Sequence, residues 1–267
     1  MKKRLLTLLL LALPCLGFAG KKTDFRMPDV ALPVIPDNVV TLTDFGAKGD
    51  GTALCTDAFA KAMKKLASMG GGKLEVPAGI WFTGPIQFES NIELHTAVGA
   101  LIIFTDDYDA YPMTETLFEG NTAKRRMSPL YAYKKENIAI TGHGTFDGNG
   151  QAWRPAKKGK FTDAQWSALV NSGGSVEKNI WYPEIKDRAF TRPVLLDFMY
   201  CKKILLKNVT FSNSPAWNVH PCICEDVTIE GVNIRNPWFA QNGDGLDLES
   251  CKRAKIINTT FDVGDDA

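Results

Sequence analysis

Three segments in the last quarter of the chain repeat one pattern, and this repeat restricts the fold more than any other feature of the sequence. They begin at Cys201, Cys224 and Cys251, which lie 23 and then 27 residues apart. Each segment holds one or two short apolar stretches and then a polar break, with no helical periodicity. Units this short and strand-rich are typical of a solenoid whose successive coils stack on one another. The repeat therefore predicts an all-β fold, a parallel β-helix.

Equivalent positions of successive coils lie about 4.8 Å apart in such a stack. The three cysteines should therefore form a ladder of small side chains that faces the core. A disulfide between neighbouring coils is the alternative if the chain is exported. A second inward ladder with the same spacing is predicted from Phe211, Ile234 and Phe261.

The first residues predict an export signal. A basic start, Lys2 to Arg4, precedes a mostly leucine run that is too short to span a bilayer. We expect residues 1–19 to be a signal peptide that is cleaved after Ala19, with a lipid anchor at Cys15 as the alternative. The predicted location is the periplasm or the extracellular space, and no membrane span is expected.

The rest of the chain is predicted to form a lead-in and one domain. Residues 20–38 are rich in Pro, Asp and Lys and should be extended, and residues 39–267 should form the β-helix. One amphipathic helix is expected between Thr56, its N-cap, and the glycines at 70–72. This helix should close one end of the coil stack and protect its strand edges. Its predicted apolar face consists of Ala58, Phe59, Ala62, Met63, Leu66 and Ala67.

A long insertion is predicted at residues 151–190, where many polar residues surround several aromatic ones. A short helix is expected near Asp163 to Asn171. Trp153, Trp181 and Tyr182 are candidates to wall a cleft and to close one of its ends. A closed end would favour cleavage of a polymer from its chain ends.

Acidic residues are concentrated at the end of the chain, although the net charge is only +1. Asp244 precedes the pair Asp265 and Asp266 by about one coil, so the three carboxylates should meet on neighbouring coils. Their repulsion should raise at least one pKa and leave other carboxylates ionised, which is the acid and base combination that glycoside hydrolysis needs. Solvated turn acids and a calcium site are the alternatives that the spacing leaves open. The spacing assigns no role to Asp247.

Several segments resemble glycoside hydrolase family 28, the polygalacturonase family. The pair "NGDGLD" at 242–247 and "GDDA" at 264–267 is similar to the active-site signature of that family. "DFGAKGDGTALCTDAFAKAM" resembles its N-terminal opening, and "RPVLLDFMYCKKILLKNVTFSNSPAWNVHPCICEDVTI" resembles the coils that lead to the site. The resemblance covers most of residues 40–267. It implies a right-handed parallel β-helix and an inverting hydrolase of α-linked galacturonic acid in pectin, with no cofactor and no metal.

The resemblance also implies catalytic roles. Asp265 corresponds to the general acid, whereas Asp244 and Asp266 correspond to the residues that position and activate water. One conflict is evident at this point. Inverting enzymes hold their carboxyl groups about 6.5–9.5 Å apart, whereas neighbouring coils are only about 4.8 Å apart.

Three further residues are candidates for substrate binding. Asn242 matches the asparagine of the family signature and would orient a carboxylate or the substrate. His220 lies about one coil before Asp244 and could line the same groove, with a structural histidine as the alternative. Arg192 is a candidate for binding a sugar carboxylate, with a surface arginine as the alternative. For Trp217, packing between coils is favoured over stacking on a sugar.

The sequence departs from the family pattern beyond the acid pair. In the family, Gly-His-Gly and Arg-x-Lys elements follow the acid pair. In this sequence only Ala267 follows Asp266. "GHG" at 142–144 precedes the acids, and we interpret His143 as a turn residue. The expectation is therefore a chain cut short at its C-terminus, poorly active, and prone to aggregate through an open last coil.

Two other functions fit a parallel β-helix. A pectate lyase would use calcium and a basic residue, and a non-catalytic adhesin would bind polysaccharide without cleaving it. The paired acid motifs argue against the lyase, and a binding protein would tolerate Asp265→Asn. The expected partner is a pectic polysaccharide or oligogalacturonide. The balanced charge does not favour nucleic acid, and we expect a monomer.

Overall fold

The structure, a computed structural model, describes residues 26–183 and 190–267. The predicted signal peptide lies outside the described residues. No helix in these two ranges is long and apolar enough to cross a membrane. Three parallel sheets form a right-handed parallel β-helix, which confirms the predicted fold.

Each coil contributes one strand to each of two long sheets, and several coils contribute to a third. The first sheet contains Val39–Thr41, Gly72–Val76, Ile92–Thr96, Glu136–Gly142, Lys202–Lys207, Glu225–Glu230 and Lys252–Ile257. The second sheet contains Asp50–Leu54, Gly79–Thr83, Ala100–Phe104, Thr145–Asp147, Thr210–Ser212, Asn233–Arg235 and Thr260–Asp262. The third sheet contains Ile86–Gln87, Leu130–Tyr133, Leu196–Met199 and Val219–Cys222.

The other elements lie outside the three parallel sheets. Two antiparallel strands, Met113–Phe118 and Asn121–Arg126, form a hairpin. A small antiparallel sheet in the insertion joins Ala156–Lys157, Ser175–Glu177 and Ile180–Tyr182. In the described part of the chain the α-helices are α1, Thr56–Ser68, and α2, Asp163–Asn171. Short 3-10 helices span Leu42–Phe45, Tyr108–Ala110, Gly150–Ala152 and Lys158–Lys160.

The core consists of apolar ladders that follow the register between coils. In the second sheet Phe146 pairs with Phe211, Phe211 with Ile234, and Ile234 with Phe261. The first three are fully buried, and Phe261 packs against the same cluster. The predicted second ladder is therefore confirmed. Because alternate residues of a strand face opposite sides, one face of each sheet can be wholly apolar.

The cysteines form the other predicted ladder. Cys201 and Cys224 are fully buried, and Cys251 is half-buried at the last coil. All three thiols are free, so no disulfide joins them. Instead, the thiol of Cys224 donates to the carbonyl of Phe198 at 3.0 Å, and that of Cys251 to the carbonyl of Pro221 at 3.1 Å.

Helix α1 closes the N-terminal end of the stack, as predicted. Five of the six predicted face residues are buried, and Ala67 is exposed. The predicted N-cap is wrong: Cys55 occupies that position, and the hydroxyl of Thr56 accepts a hydrogen bond from Gly84 N at 2.7 Å. The threonine therefore fastens the helix to the coil beneath it.

The lead-in, described from residue 26, is extended and runs along the outside of the coils. Ala31 N donates to Asp226 Oδ1 at 3.3 Å, and Val34 N donates to Asn137 Oδ1 at 3.2 Å. Because Asn137 and Asp226 lie on different coils, the lead-in connects strands of the first sheet at positions 89 residues apart in sequence.

The turn at His143 is also as predicted. His143 is exposed and lies between strands of the first and second sheets. The preceding Gly142 has a φ of 103°, and a Cβ there would collide with the carbonyl of Thr96 on the previous coil. Only glycine allows the two coils to approach so closely at this position.

The insertion contains the predicted helix, and its three candidate aromatic side chains are mostly buried. Thr162 caps α2 and forms a capping box with Gln165. Trp153, Trp181 and Tyr182 are at most 8% exposed. Trp153 packs between the rings of two tyrosines of an earlier loop. Trp153 and Tyr182 are therefore packing residues and not a cleft wall, whereas Trp181 lines a cleft of about 570 Å³.

Phe211→Ala should test the ladder of the second sheet. The fully buried ring stacks on Phe146 with centroids 5.3 Å apart, and its removal leaves a cavity that neighbouring coils cannot fill. We expect a loss of about 3–5 kcal/mol in the free energy of unfolding, measured by urea denaturation. Val98→Ala, at a side chain that is 74% exposed, should change it by less than about 0.5 kcal/mol. Equal effects of the two variants would contradict the packing described.

Candidate active site

The outward face of the third sheet carries a row of ionisable side chains. Asp197 pairs with His220 on the next coil. Bridges from Val219 to Leu246 and from Cys222 to Glu249 extend this pairing into residues 246–249. Asp247 therefore lies opposite His220, and the row reads Asp197, His220, Asp247 over three coils.

The three acids singled out in the sequence meet beside this row. Gly245 N donates to the carbonyl of Asp266 at 2.7 Å, which aligns Asp266 with Asp244 on neighbouring coils. One carboxylate oxygen from each of Asp244, Asp265 and Asp266 lies within 4.8 Å of the others. Asp244 is 8% exposed, whereas Asp265 and Asp266 are exposed. The structure thus brings together the three residues that the spacing predicted would converge.

Burial and mutual repulsion change the proton affinity of two acids. Burial, reinforced by the charge of Asp265, raises the pKa of Asp244 to about 6. Burial, reinforced by Asp244, raises the pKa of Asp247 to about 7. Asp247 Oδ2 is buried and has no hydrogen-bond partner. The site therefore has Asp247 as a fourth carboxylate, to which sequence spacing assigned no role.

Asn236 holds the turn that carries Asn242 to Asp244. Its side-chain oxygen accepts from Ser214 N at 2.8 Å, and its amide nitrogen donates to Gly243 O at 2.9 Å. The side chain is buried, so both bonds are shielded from water. Sequence reasoning missed this residue. Its one visible signal was its position directly after the strand Asn233–Arg235, before a proline.

The buried side chain of Arg192 holds Asn242 by a hydrogen bond. Its Nη2 donates to Asn242 Oδ1 at 2.7 Å, and the residue is only 6% exposed. Burial lowers the pKa of Arg192 to about 10, although the charge of Asp244 opposes this shift. Arg125 in turn donates from Nε to the carbonyl of Arg192 at 3.0 Å. The alternative of a surface arginine is therefore wrong, and the structure places the guanidinium behind Asn242 rather than on the cleft surface.

His220 lies beneath the cleft rather than in its wall. The residue is 1% exposed. Its Nδ1 is 3.3 Å from Asp197 Oδ1, and its Nε2 is 3.1 Å from Glu249 Oε2. Burial favours the neutral ring, but the adjacent Asp197 outweighs it and raises the pKa of His220 to about 10. The prediction that His220 touches the substrate is corrected, because the ring is buried and its Nε2 faces Glu249.

The hairpin Met113–Arg126 covers part of the outward face. The hydroxyl of Thr116 donates to Asp197 Oδ2 at 2.9 Å. Phe118 stacks on Trp217, with centroids 4.2 Å apart and planes 14° apart. The guanidinium of Arg125 lies 3.8 Å from the centroid of Phe118. Trp217 therefore packs against the hairpin rather than between coils, as was predicted, and it also lines the neighbouring cleft. The hairpin that provides its partner was missed in the sequence.

An open cleft of about 540 Å³ lies beyond the hairpin tip. The tip, Glu119 and Gly120, forms one side, and Asp247 and Asp266 line the other. The remaining lining residues are Trp217, Leu246, Leu248 and Glu249. The cleft is therefore apolar at its floor and acidic at its rim, next to the three converging acids.

Comparison with known proteins places these features in a family. Residues 168–267 match the model of the glycosyl hydrolases family 28. A probable polygalacturonase of Vitis vinifera is 32% identical over 85% of this chain and 43% of its own length. An exo-poly-alpha-D-galacturonosidase of Dickeya chrysanthemi is 29% identical over 86% of this chain and 41% of its own length.

A solved structure has the same fold. The hyperthermoactive exopolygalacturonase of Thermotoga maritima superposes with a TM-score of 0.74 and 36% identity, over 89% of this chain and 55% of that one. The chain thus spans about half the length, or less, of the relatives it matches.

Asp244→Asn should reveal the cost of the converging acids. The folded-state pKa of Asp244, about 6, lies above its ordinary value of 3.8. Its ionisation therefore costs folding free energy, and this cost grows as pH rises through that interval. Since one pKa unit corresponds to about 1.4 kcal/mol, the variant should be more stable than the wild type by ~1–3 kcal/mol near pH 7.

The measurement is urea denaturation at several pH values. The gain should decrease as pH falls below 6 and vanish near pH 3, where the wild-type carboxyl is mostly protonated in both states. Asp37→Asn, at an exposed residue of the lead-in, is the matched control and should show no such pH dependence. A variant that is less stable than the wild type at neutral pH would contradict the assignment.

Proposed function

Because the chain belongs to glycosyl hydrolases family 28, we propose that it hydrolyses α-linked galacturonic acid bonds in pectin or polygalacturonate. The observation that supports this proposal is the meeting of Asp244, Asp265 and Asp266, with oxygens within 4.8 Å of one another. They lie beside an open cleft that can admit a polymer. Paired carboxylates of differing proton affinity are the machinery that glycoside hydrolysis requires.

In the proposed mechanism Asp265 is the general acid. It donates a proton to the glycosidic oxygen while the bond from that oxygen to the anomeric carbon breaks. Asp244 and Asp266 position a water and accept its proton as its oxygen attacks the anomeric carbon. The raised pKa of Asp244, about 6, means that this base is mostly ionised only above that pH. Asn242, held by Arg192, orients a carboxylate or the sugar.

The stereochemical outcome is proposed to be inversion, as the family resemblance implies. The spacing of the acids is shorter than the about 6.5–9.5 Å that usually separates the carboxyls of inverting enzymes. Three acids instead of two offer one physical solution. Two of them can bind the same water from neighbouring coils while the third faces the leaving group. A retaining reaction would instead need one acid to form a covalent bond to the sugar.

We further propose that cleavage proceeds from chain ends. The hairpin supports this, because its tip lines the cleft beside Asp247 and its strands cover the coils behind it. A polymer could then enter from one side only. The two relatives named as exo-acting, from Dickeya chrysanthemi and Thermotoga maritima, are consistent with this proposal.

The proposed site of action is outside the cytoplasm. The basic and apolar N-terminal residues favour export to the periplasm or the extracellular space. Polymeric pectin would be accessible there. The proposed acting form is the monomer, because the acids and the cleft come from a single chain.

Asp265→Asn should test the general acid. Release of reducing ends from polygalacturonate should fall by about 10²–10⁴-fold, because an amide cannot protonate the leaving oxygen. Asp262→Asn, on the preceding strand of the same coil, is the control and should keep the wild-type rate. Unsaturated products that depend on calcium would instead indicate a lyase. Binding of polygalacturonate without cleavage, unchanged in Asp265→Asn, would indicate a non-catalytic binding protein.

A time course by proton NMR should test both finer proposals. Inversion of an α-linkage should first yield the β-anomer of the new reducing end, and exo-action should yield monomer alone from a long polymer. An α-anomer appearing first would show retention, the outcome that the short spacing of the acids would favour. Early release of mixed oligomers would contradict exo-action.

A further inference from the structure

A second group of side chains converges on the outward face of the third sheet. His220 and Cys222 are two residues apart on one strand, so they point to the same side. Glu249 pairs with Cys222 across the neighbouring coil. His220 Nε2 lies 3.1 Å from Glu249 Oε2, and one donor atom from each of the three residues lies within 4.8 Å of the others. Imidazole, thiol and carboxylate are the three donor types that zinc prefers.

Cys222 differs from the other cysteines that the structure describes. The thiols of those four donate to backbone carbonyls and lie in the core or its margin: Cys55, Cys201, Cys224 and Cys251. The thiol of Cys222 makes no such bond and lies on the opposite face of its strand. The residue is nevertheless 0% exposed. A fully buried thiol that faces a histidine and a carboxylate has the surroundings of a metal ligand rather than of a core side chain.

The surroundings of His220 are those of a metal-binding histidine. Asp197 Oδ1 lies 3.3 Å from Nδ1, and Thr116 fixes the other carboxylate oxygen at 2.9 Å. A carboxylate beside Nδ1 keeps the proton on that nitrogen, so a metal that displaces the other proton would bind at Nε2. The Nε2 atom is the one that faces Glu249, a residue of the cleft lining.

The charges around the group also favour a cation. Asp197 and Glu249 contact the imidazole, and Asp247 lies opposite it on the next coil. The nearby guanidinium of Arg125 is occupied by the carbonyl of Arg192 and by the Phe118 ring. Asp247 Oδ2 is buried with no hydrogen-bond partner. A divalent cation would compensate this excess of buried negative charge.

We propose that His220 Nε2, the Cys222 thiolate and the Glu249 carboxylate bind a Zn²⁺ ion. Binding displaces the thiol proton and any proton on Nε2 to solvent. Bond lengths of about 2.0–2.3 Å imply ligand separations of roughly 3.3–3.8 Å in a tetrahedral site. The observed separations need only small side-chain movements to reach them. Of the three ligands, Glu249 lines the cleft, and this side would provide the entry path.

The ion would join two coils. His220 and Cys222 lie on the strand Val219–Cys222, and Glu249 belongs to the coil that carries Asp244. The zinc would therefore stabilise the last coil against the one before it, independently of the proposed hydrolysis. Zinc binding can therefore be measured whether or not the 267-residue chain is active.

The test is metal binding by the chelator-treated chain. Calorimetry with ZnCl₂ should give one ion per chain, and Zn²⁺ should raise the melting temperature. Co²⁺ in place of Zn²⁺ should produce a thiolate-to-cobalt charge-transfer band in the near ultraviolet. Cys222→Ser should remove this band. Asp197→Asn, which leaves all three ligands in place, should weaken binding by about 10–100-fold.

Matched variants separate this site from the acids of the cleft. Cys251→Ser, a neighbouring thiol outside the group, and Asp266→Asn should both retain the band and the affinity. Glu249→Gln changes a side chain at the rim of the cleft, so this variant should fold even if Cys222→Ser does not. It should weaken Zn²⁺ binding by at least about tenfold. Absence of binding would overturn the proposal and leave His220 as an ion-paired imidazolium. Zn²⁺ binding that gives no charge-transfer band with Co²⁺ and that disappears in Asp266→Asn would also overturn the proposal, because it would place the ion on the aspartates.

Discussion

The parallel register between successive coils is the constraint on which the rest of the structure depends. Backbone hydrogen bonds hold neighbouring coils about 4.8 Å apart, so residues that are one coil apart in sequence become neighbours in space. Leu206 pairs with Ile229, and Ile229 pairs with Ile256. The same register sets Asp197 beside His220 on the opposite face of another sheet. A shift of one residue would exchange the two faces, so the core and the candidate site are fixed together.

The parts of the structure that follow from this register could be predicted from the sequence. Phe211, Ile234 and Phe261 recur at the coil spacing, and each pairs with the next. Asp244 and Asp266 lie 22 residues apart, and their coils are hydrogen-bonded at that point. Inward positions are recognisable because they must be apolar. The acids are recognisable because turn residues at the same spacing must stack as well.

The parts that were missed depend on contacts between distant segments. The hairpin Met113–Arg126 covers Asp197 and stacks on Trp217, although no periodicity links residues so far apart. Its presence explains why His220 is buried rather than open to the groove. Arg192 was expected at a surface or on the substrate, but its partner is Asn242. Repeat spacing shows which residues share a row, but it does not show what covers that row.

The two faces of a coil contribute to stability with opposite sign. Outward acids repel one another, and burial raises the pKa of Asp244 and Asp247 above their ordinary values. Their ionisation at neutral pH therefore weakens the fold. The inward ladders stabilise it, and their register also fixes the acids in place. Because a strand alternates between the faces, the acids can be concentrated on one side without removing an apolar residue from the other. A parallel β-helix can thus hold charges of one sign together, because the stability of its core offsets the free-energy cost of their repulsion.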